Sequence, residues 1–236
     1  MFKSTLFVAA ALFIATGFTF FTNNWTFDDP IPTDAIFYAK EGNPNWLKIK
    51  DGVQVTATTL VNRYHQDLGL GSGDELVLIR KDDDDLGFSH YRYQHFNNGI
   101  KVKGSQLLVH EKEGTVKTLN GRLARGIERS GEPNISEQEA VERALEHLPA
   151  DLYMWESKRE EDLLKRILKD PLATNYPEPE LVLIDPTMAL APENMRLAYS
   201  MIVYAARPHS RKLIYVDAHT GKVFHEIEML LYLIHI

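Results

Sequence analysis

The 236-residue sequence contains no cysteine. That absence removes disulfides, thiol nucleophiles and cysteine-based zinc sites together, and it leaves the redox compartment undecided. Long basic runs are missing as well. With 26 Lys and Arg against 33 Asp and Glu, the formal net charge is −7, and no stretch carries the clustered positive charge of a nucleic-acid-binding surface. No Gly-x-Ser-x-Gly elbow offers a serine nucleophile. A helical His-Glu-x-x-His zinc motif is also lacking: His110-Glu111 and His225-Glu226 each begin one, but Gly114 and Met229 stand where the second histidine is needed. Both pairs fall in strand-like runs, where positions i and i+4 lie about 13 Å apart. Gly69 to Gly73 resembles a phosphate loop only in its glycines, because it follows a helix pattern and no Lys-Ser/Thr completes it. The remaining histidines are scattered. His90 and His95 belong to opposite faces of one strand, which argues against a shared metal.

What is present is a chain able to bury a core, 44% apolar and 25% charged. Lys3 precedes an uncharged, apolar run from Ser4 to Thr22, the pattern of a secretory signal peptide over residues 1–22, so the chain is expected to be exported. Residues 23–49, with several Pro, Asp and Asn and little periodicity, read as a linker. From Thr56, an N-cap candidate, Leu60, Val61, Tyr64 and Leu68 share a helical face that Gly69 ends. A strand is expected over Glu75 to Ile79. The acidic run Asp82 to Asp85 lacks the alternating ligands, central glycine and distal glutamate of a calcium loop, and reads as a solvated connection between strands.

The strongest turn signal is Asn97-Asn98-Gly99, because Asn-Gly supplies the φ > 0 residues of a tight hairpin. Tyr91, Tyr93 and His95 alternate with Arg92, Gln94 and Phe96 before it, and Ile100 and Val102 alternate with Lys101 and Lys103 after it. Gly104 marks a bulge or bend. Gln106 to His110 then resumes, and a turn at Lys112-Glu113-Gly114 leads into a run ending at Asn120-Gly121, so a three-stranded antiparallel meander is predicted. After a Gly- and Pro-containing link from Arg125 to Pro133, Ser136 to Glu139 is a capping box that opens a helix over 136–148. Ser157 to Glu160 is a second one, opening a stripe of Leu163, Leu164, Ile167 and Leu168 that Pro171 ends. Strands follow at 180–184, 196–205, 212–217 and 222–227. The expected fold class is α+β, in two consecutive small domains, 50–125 and 134–228, each a helix packed on an antiparallel sheet.

His90-Tyr91-Arg92-Tyr93-Gln94, Gly99-Ile100-x-Val102, Leu107-Leu108-Val109-His110, Gly114 and Asn120-Gly121 together resemble the fungalysin/thermolysin propeptide domain. Leu197-Ala198-Tyr199 and Tyr215-Val216-Asp217-Ala218-x-Thr220-Gly221-Lys222-Val223 resemble the PepSY domain that follows it. Tyr153 to Glu156 and Tyr176-Pro177 resemble the longer insert of some members, a helical insert near 151–170. The resemblance implies a secreted, non-catalytic pro-region that helps a thermolysin-like catalytic domain to fold and occupies its cleft, normally in cis. It implies zinc and calcium only in that catalytic domain, no cofactor in this chain, no nucleic acid, and membrane contact only through the signal sequence. Candidate contacts with the protease are Arg92, Gln94, Lys101 and Lys103 on the hairpin, and His225 and Glu226 near the end. The apolar run 229–236 reads as the point where a catalytic domain is cut away, or as the completion of the last strand. A free-standing secreted PepSY-type inhibitor or binding module is the alternative.

Overall fold

The computed structural model describes residues 36–40, 43–128 and 131–230. The expected signal peptide lies outside the described residues, as do most of the linker before residue 36 and the tail from 231. Strands β1 (Phe37–Lys40), β2 (Asn43–Ile49), β3 (Asp74–Asp83), β4 (Phe88–Asn97), β5 (Ile100–Lys112), β6 (Thr115–Arg122), β7 (Leu152–Tyr153), β8 (Glu180–Ile184), β9 (Arg196–Arg207), β10 (Ser210–Asp217) and β11 (Val223–Glu228) accompany helices α1 (Ala57–Arg63), α2 (Glu137–His147) and α3 (Lys158–Leu168). Two of these strands, β1 and β2, occupy residues read from sequence as linker. They pair with each other, and β2 adds to β6 through Trp46, Leu47 and Lys48. Their signal was hidden because Pro44 and Asn45 disrupt alternation.

Two separate antiparallel sheets were expected; the strands instead join in one mixed sheet. Its path is β1-β2-β6-β5-β8-β9-β10-β11, with β3 and β4 branching from β5 and β7 lying on β9. The joint is β5. Its 13 residues are long enough to serve two neighbours in turn: residues 106–112 pair antiparallel with β6, while Lys101 and Val102 pair parallel with Val182 and Leu183 of β8.

Both α1 and α2 pack on the same face. Ala57, Leu60 and Val61 of α1 bury against Leu47, Tyr93, Leu107, Val109 and Leu119, and Ala140, Val141 and Ala144 of α2 bury against Val102, Leu183, Leu197, Val203, Ile214 and Val216. Thr56 caps α1 by accepting from the Thr59 amide at 3.1 Å, and Ser136 caps α2 by accepting from the Glu139 amide at 3.2 Å, each supplying a partner for one unbonded N–H of a first turn. Ser157 stands at the N-cap of α3 without a side-chain cap bond, contrary to the expected capping box. Instead the Glu161 carboxylate of α3 accepts from the Asn175 amide at 2.7 Å, pinning the chain that returns from the helix. Among the described residues, no helix is long and apolar enough to cross a membrane.

Candidate docking face

Cross-strand partners share a face, so the register identifies which side chains stand on the side away from α1 and α2. His90, Arg92 and Gln94 of β4 oppose His110, Leu108 and Gln106 of β5, which in turn oppose Thr118, Asn120 and Arg122 of β6. Phe96 opposes Lys101, Lys101 opposes Val182, and Val182 opposes Ala198. Further along, Tyr215 opposes Ser200 on one side and His225 on the other. The register thus places four of the six candidate residues on one continuous face, and Lys103, which has no cross-strand partner among the described residues, reaches it through Glu180 opposite Ser200.

Their roles differ. The Lys101 ammonium donates to Glu180 at 2.9 Å and that of Lys103 at 3.1 Å, a fork tying β5 to the start of β8. Desolvation works to raise the Glu180 pKa, but the two ammonium groups outweigh it and leave the carboxyl below its ordinary value. Arg92 lies half-buried and donates to Gln106 Oε1 at 3.0 Å. His225 is half-buried with its ring 5.5 Å from that of Tyr215. Gln94 departs from expectation. It is 4% exposed, and its amide nitrogen donates toward the carbonyls of His95, Val102 and Ser105 at 3.0, 2.9 and 3.1 Å. Two N–H bonds shared among three oxygens, and an Oε1 that accepts from Gln106 at 3.1 Å, make Gln94 a plug inside the β5 bulge. Glu226 falls on the opposite face, since it pairs with Ile214 of the α2 core. There it accepts from Lys212 at 2.6 Å and from His147 of α2 at 2.9 Å. Lys212 first, and His147 after it, hold its carboxyl below the ordinary glutamate range.

Sequence reasoning missed two polar clusters. In the first, His95 Nδ1 lies 2.8 Å from Ser105 Oγ and His95 Nε2 lies 3.0 Å from Asp74 Oδ1. The connectivity is that of a Ser-His-Asp nucleophile, but all three side chains are buried, Ser105 and His95 at 0% exposure. Ser105 Oγ also accepts from the Ala124 amide at 3.0 Å, and Asp74 accepts from Asn97 at 2.7 Å and from the Gly71 amide at 2.7 Å. Burial alone would raise the Asp74 pKa; its bonds to His95, Asn97 and Gly71 overcome that and lower it. A nucleophile must meet substrate, and this group meets only the protein's own buried groups. It is a pin holding β3, β4 and β5 together.

The second cluster lies on the face away from the helices. His90 Nδ1 and His110 Nδ1 are 2.7 Å apart, His90 Nε2 is 3.1 Å from Asp84 Oδ2, and His110 Nε2 is 2.6 Å from Asn120 Oδ1. Trp46 stacks on His110 with centroids 5.1 Å apart, and Phe88 stacks on His90 at 6.1 Å. Burial lowers the His110 pKa; the bond to Asn120 opposes this and the charge of His90 adds to it. The acidic run is only partly the expected loop: Asp82 and Asp83 complete β3, and Asp84 closes the turn by accepting from the Leu86 and Phe88 amides at 2.9 and 2.8 Å. Glu111, one half of a discarded zinc pair, accepts from the Ala57 amide of α1 at 2.7 Å. Among the described residues, no three His, Cys, Asp or Glu converge as a metal-holding group.

The sheet is backed by helices on one face; its second face is polar and partly aromatic over β4 to β6 and carries a buried apolar cluster of Val182, Ile184, Ala198 and Tyr215 over β8 to β10. Its first half has a defined type: residues 74–123, which span β3 to β6, match the Fungalysin/Thermolysin Propeptide Motif. The chain is 27% identical over 164 residues to thermostable neutral protease NprT of Geobacillus stearothermophilus, covering 69% of this chain and 27% of that protein. It is 30% identical over 158 residues to bacillolysin of Bacillus amyloliquefaciens, covering 64% of this chain and 26% of that one. The match thus spans about a quarter of these relatives' lengths. Among solved structures, the YpeB C-terminal domain of Bacillus megaterium aligns at a TM-score of 0.34 and 14% identity, over 81% of this chain and 74% of that one.

Proposed function

We propose that this chain is the pro-region of an exported thermolysin-like metallopeptidase, itself non-catalytic, which assists folding of the zinc-containing catalytic domain and holds its cleft closed. The observation that carries the reading is the propeptide motif over residues 74–123, embedded in a match of about 160 residues to thermolysin-type precursors. Residues 134–228 act as the PepSY-like second half of the scaffold. The zinc and calcium of the pair belong to the peptidase domain. Physically, a tethered inhibitor needs only modest intrinsic affinity, because the tether supplies a high effective concentration and cleavage of the tether removes it. The contact is assigned to the face away from the helices, centred on Arg92, Lys101, Lys103 and His225. Gln94 acts from within as the bulge plug, and Glu226 acts on the helix-bearing face as a clamp to α2.

The test has two arms. Adding the chain in trans to a purified thermolysin-like peptidase should slow peptide cleavage, and adding it during refolding of the denatured catalytic domain should raise the recovered activity. Absence of both effects at high micromolar concentration would reject the reading.

A further inference from the structure

We propose that His90 and His110 form a cross-strand chelate for a divalent cation that favours tetragonal geometry, copper(II) or nickel(II), with water filling the remaining positions. The inference stands on geometry independent of the propeptide reading.

Asp84 as a carboxylate can only accept, so His90 Nε2 carries a hydrogen toward it. Asn120 presents its carbonyl oxygen to His110 Nε2, so that nitrogen donates as well. In neutral rings both Nδ1 atoms then carry no hydrogen, and they lie 2.7 Å apart, close enough for one ion beside the N···N line to reach both. Two lone pairs so close repel unless a positive charge sits between or beside them. Ring nitrogens whose far N–H groups are held by a carboxylate and an amide oxygen are in the state metal-bound histidines adopt.

The spacing selects the ion. With metal–nitrogen bonds of about 2.0–2.1 Å, an N···N separation of 2.7 Å subtends roughly 80–85° at the metal. That is near the right angle between adjacent positions of a square-planar or octahedral ion, and far from the tetrahedral angle zinc adopts in closed sites. The His90 side chain is 35% exposed, so water can complete the coordination sphere. The carboxylates of Asp83, at the end of β3, and Asp84, on the adjoining turn, add a negative field that attracts a cation.

Trp46, stacked on His110, provides the readout, since copper(II) and nickel(II) quench an indole at this range. Titrating the full chain with copper(II) chloride should give saturable one-to-one binding in the micromolar range, with quenching that disappears in Trp46→Phe. His90→Gln and His110→Phe should each abolish saturation; the phenyl ring preserves the stack on Trp46, and unchanged far-ultraviolet circular dichroism shows that the fold is kept. Asp84→Asn retains an acceptor but removes the charge, and should weaken binding about tenfold. Zinc should bind more weakly than nickel. Unchanged binding in the two histidine variants, zinc binding tighter than nickel, or a histidine pair whose nitrogen-15 shifts show a shared proton that copper does not displace, would each overturn the chelate.

Discussion

At the scale of single residues, the deciding question is whether a polar side chain is spent inside the protein or left for a partner. Gln94 is spent. Gln94→Met should leave the carbonyls of His95, Val102 and Ser105 unmatched in a buried bulge, lowering stability by about 2–3 kcal/mol, read as a lower urea midpoint at unchanged slope. Asp74 makes a prediction about pH. Its folded pKa is depressed below the ordinary aspartate value, so its contribution is complete above that value and is lost as pH falls through the folded pKa. Wild type should therefore exceed Asp74→Asn in urea midpoint near neutral pH, and the gap should narrow as the solution is acidified through that range. A constant gap would show that folding does not lower the Asp74 pKa. His95 illustrates how far sequence reaches here: its strand and face follow from alternation with Arg92 and Gln94, whereas its partners Asp74 and Ser105 do not, because they arrive from two other strands.

At the scale of elements, turn chemistry was legible and register was not. Asn98 and Gly99 both adopt positive φ, at 49° and 79°, as the hairpin from β4 to β5 requires. Gly121 matters for a different reason. It sits in β6 opposite Leu107, at φ 140°, and an added Cβ would fall on the Gln106 carbonyl oxygen. Gly121→Ala should cost about 1–3 kcal/mol by forcing β6 away from β5, seen as a lower thermal midpoint and faster amide exchange in both strands. Helices α1 and α2 were readable from their caps and apolar faces. The strands β1 and β2 were not, since their stability comes from adding to the β6 edge rather than from a pattern of their own.

For the whole molecule, the shared sheet implies cooperativity between its two cores. Truncating Leu60, at 0% exposure in the α1 core, to Ala should cost about 2–5 kcal/mol. Trp46 and Trp155, reporting from the two halves in single-tryptophan variants, should then move to the same lower midpoint. Separate transitions would mean that the parallel joint between β5 and β8 does not couple them. Exposed ion pairs should matter less to this balance: Glu180, 46% exposed, anchors Lys101 and Lys103, yet Glu180→Gln should change stability by less than about 1 kcal/mol.

The sequence by itself determined the local elements: the capped helices, the Asn-Gly hairpin, the bulge at Gly104 and the propeptide-like order of motifs, all of which depend on neighbours a few residues apart. Only the tertiary structure decided what faces what. A two-residue turn continued without interruption would place His90 opposite Leu107. Instead Val102 to Ser105 loop out opposite His95, β5 turns to meet β8, and the pairing resumes with Gln94 opposite Gln106 and His90 opposite His110. That displacement is stabilised by the Gln94 amide, by the buried bonds of Ser105 and by a parallel partner about 80 residues further along the chain. Contacts at such separation leave no periodic trace in the sequence, which is why the strand was predictable and the histidine pair was not.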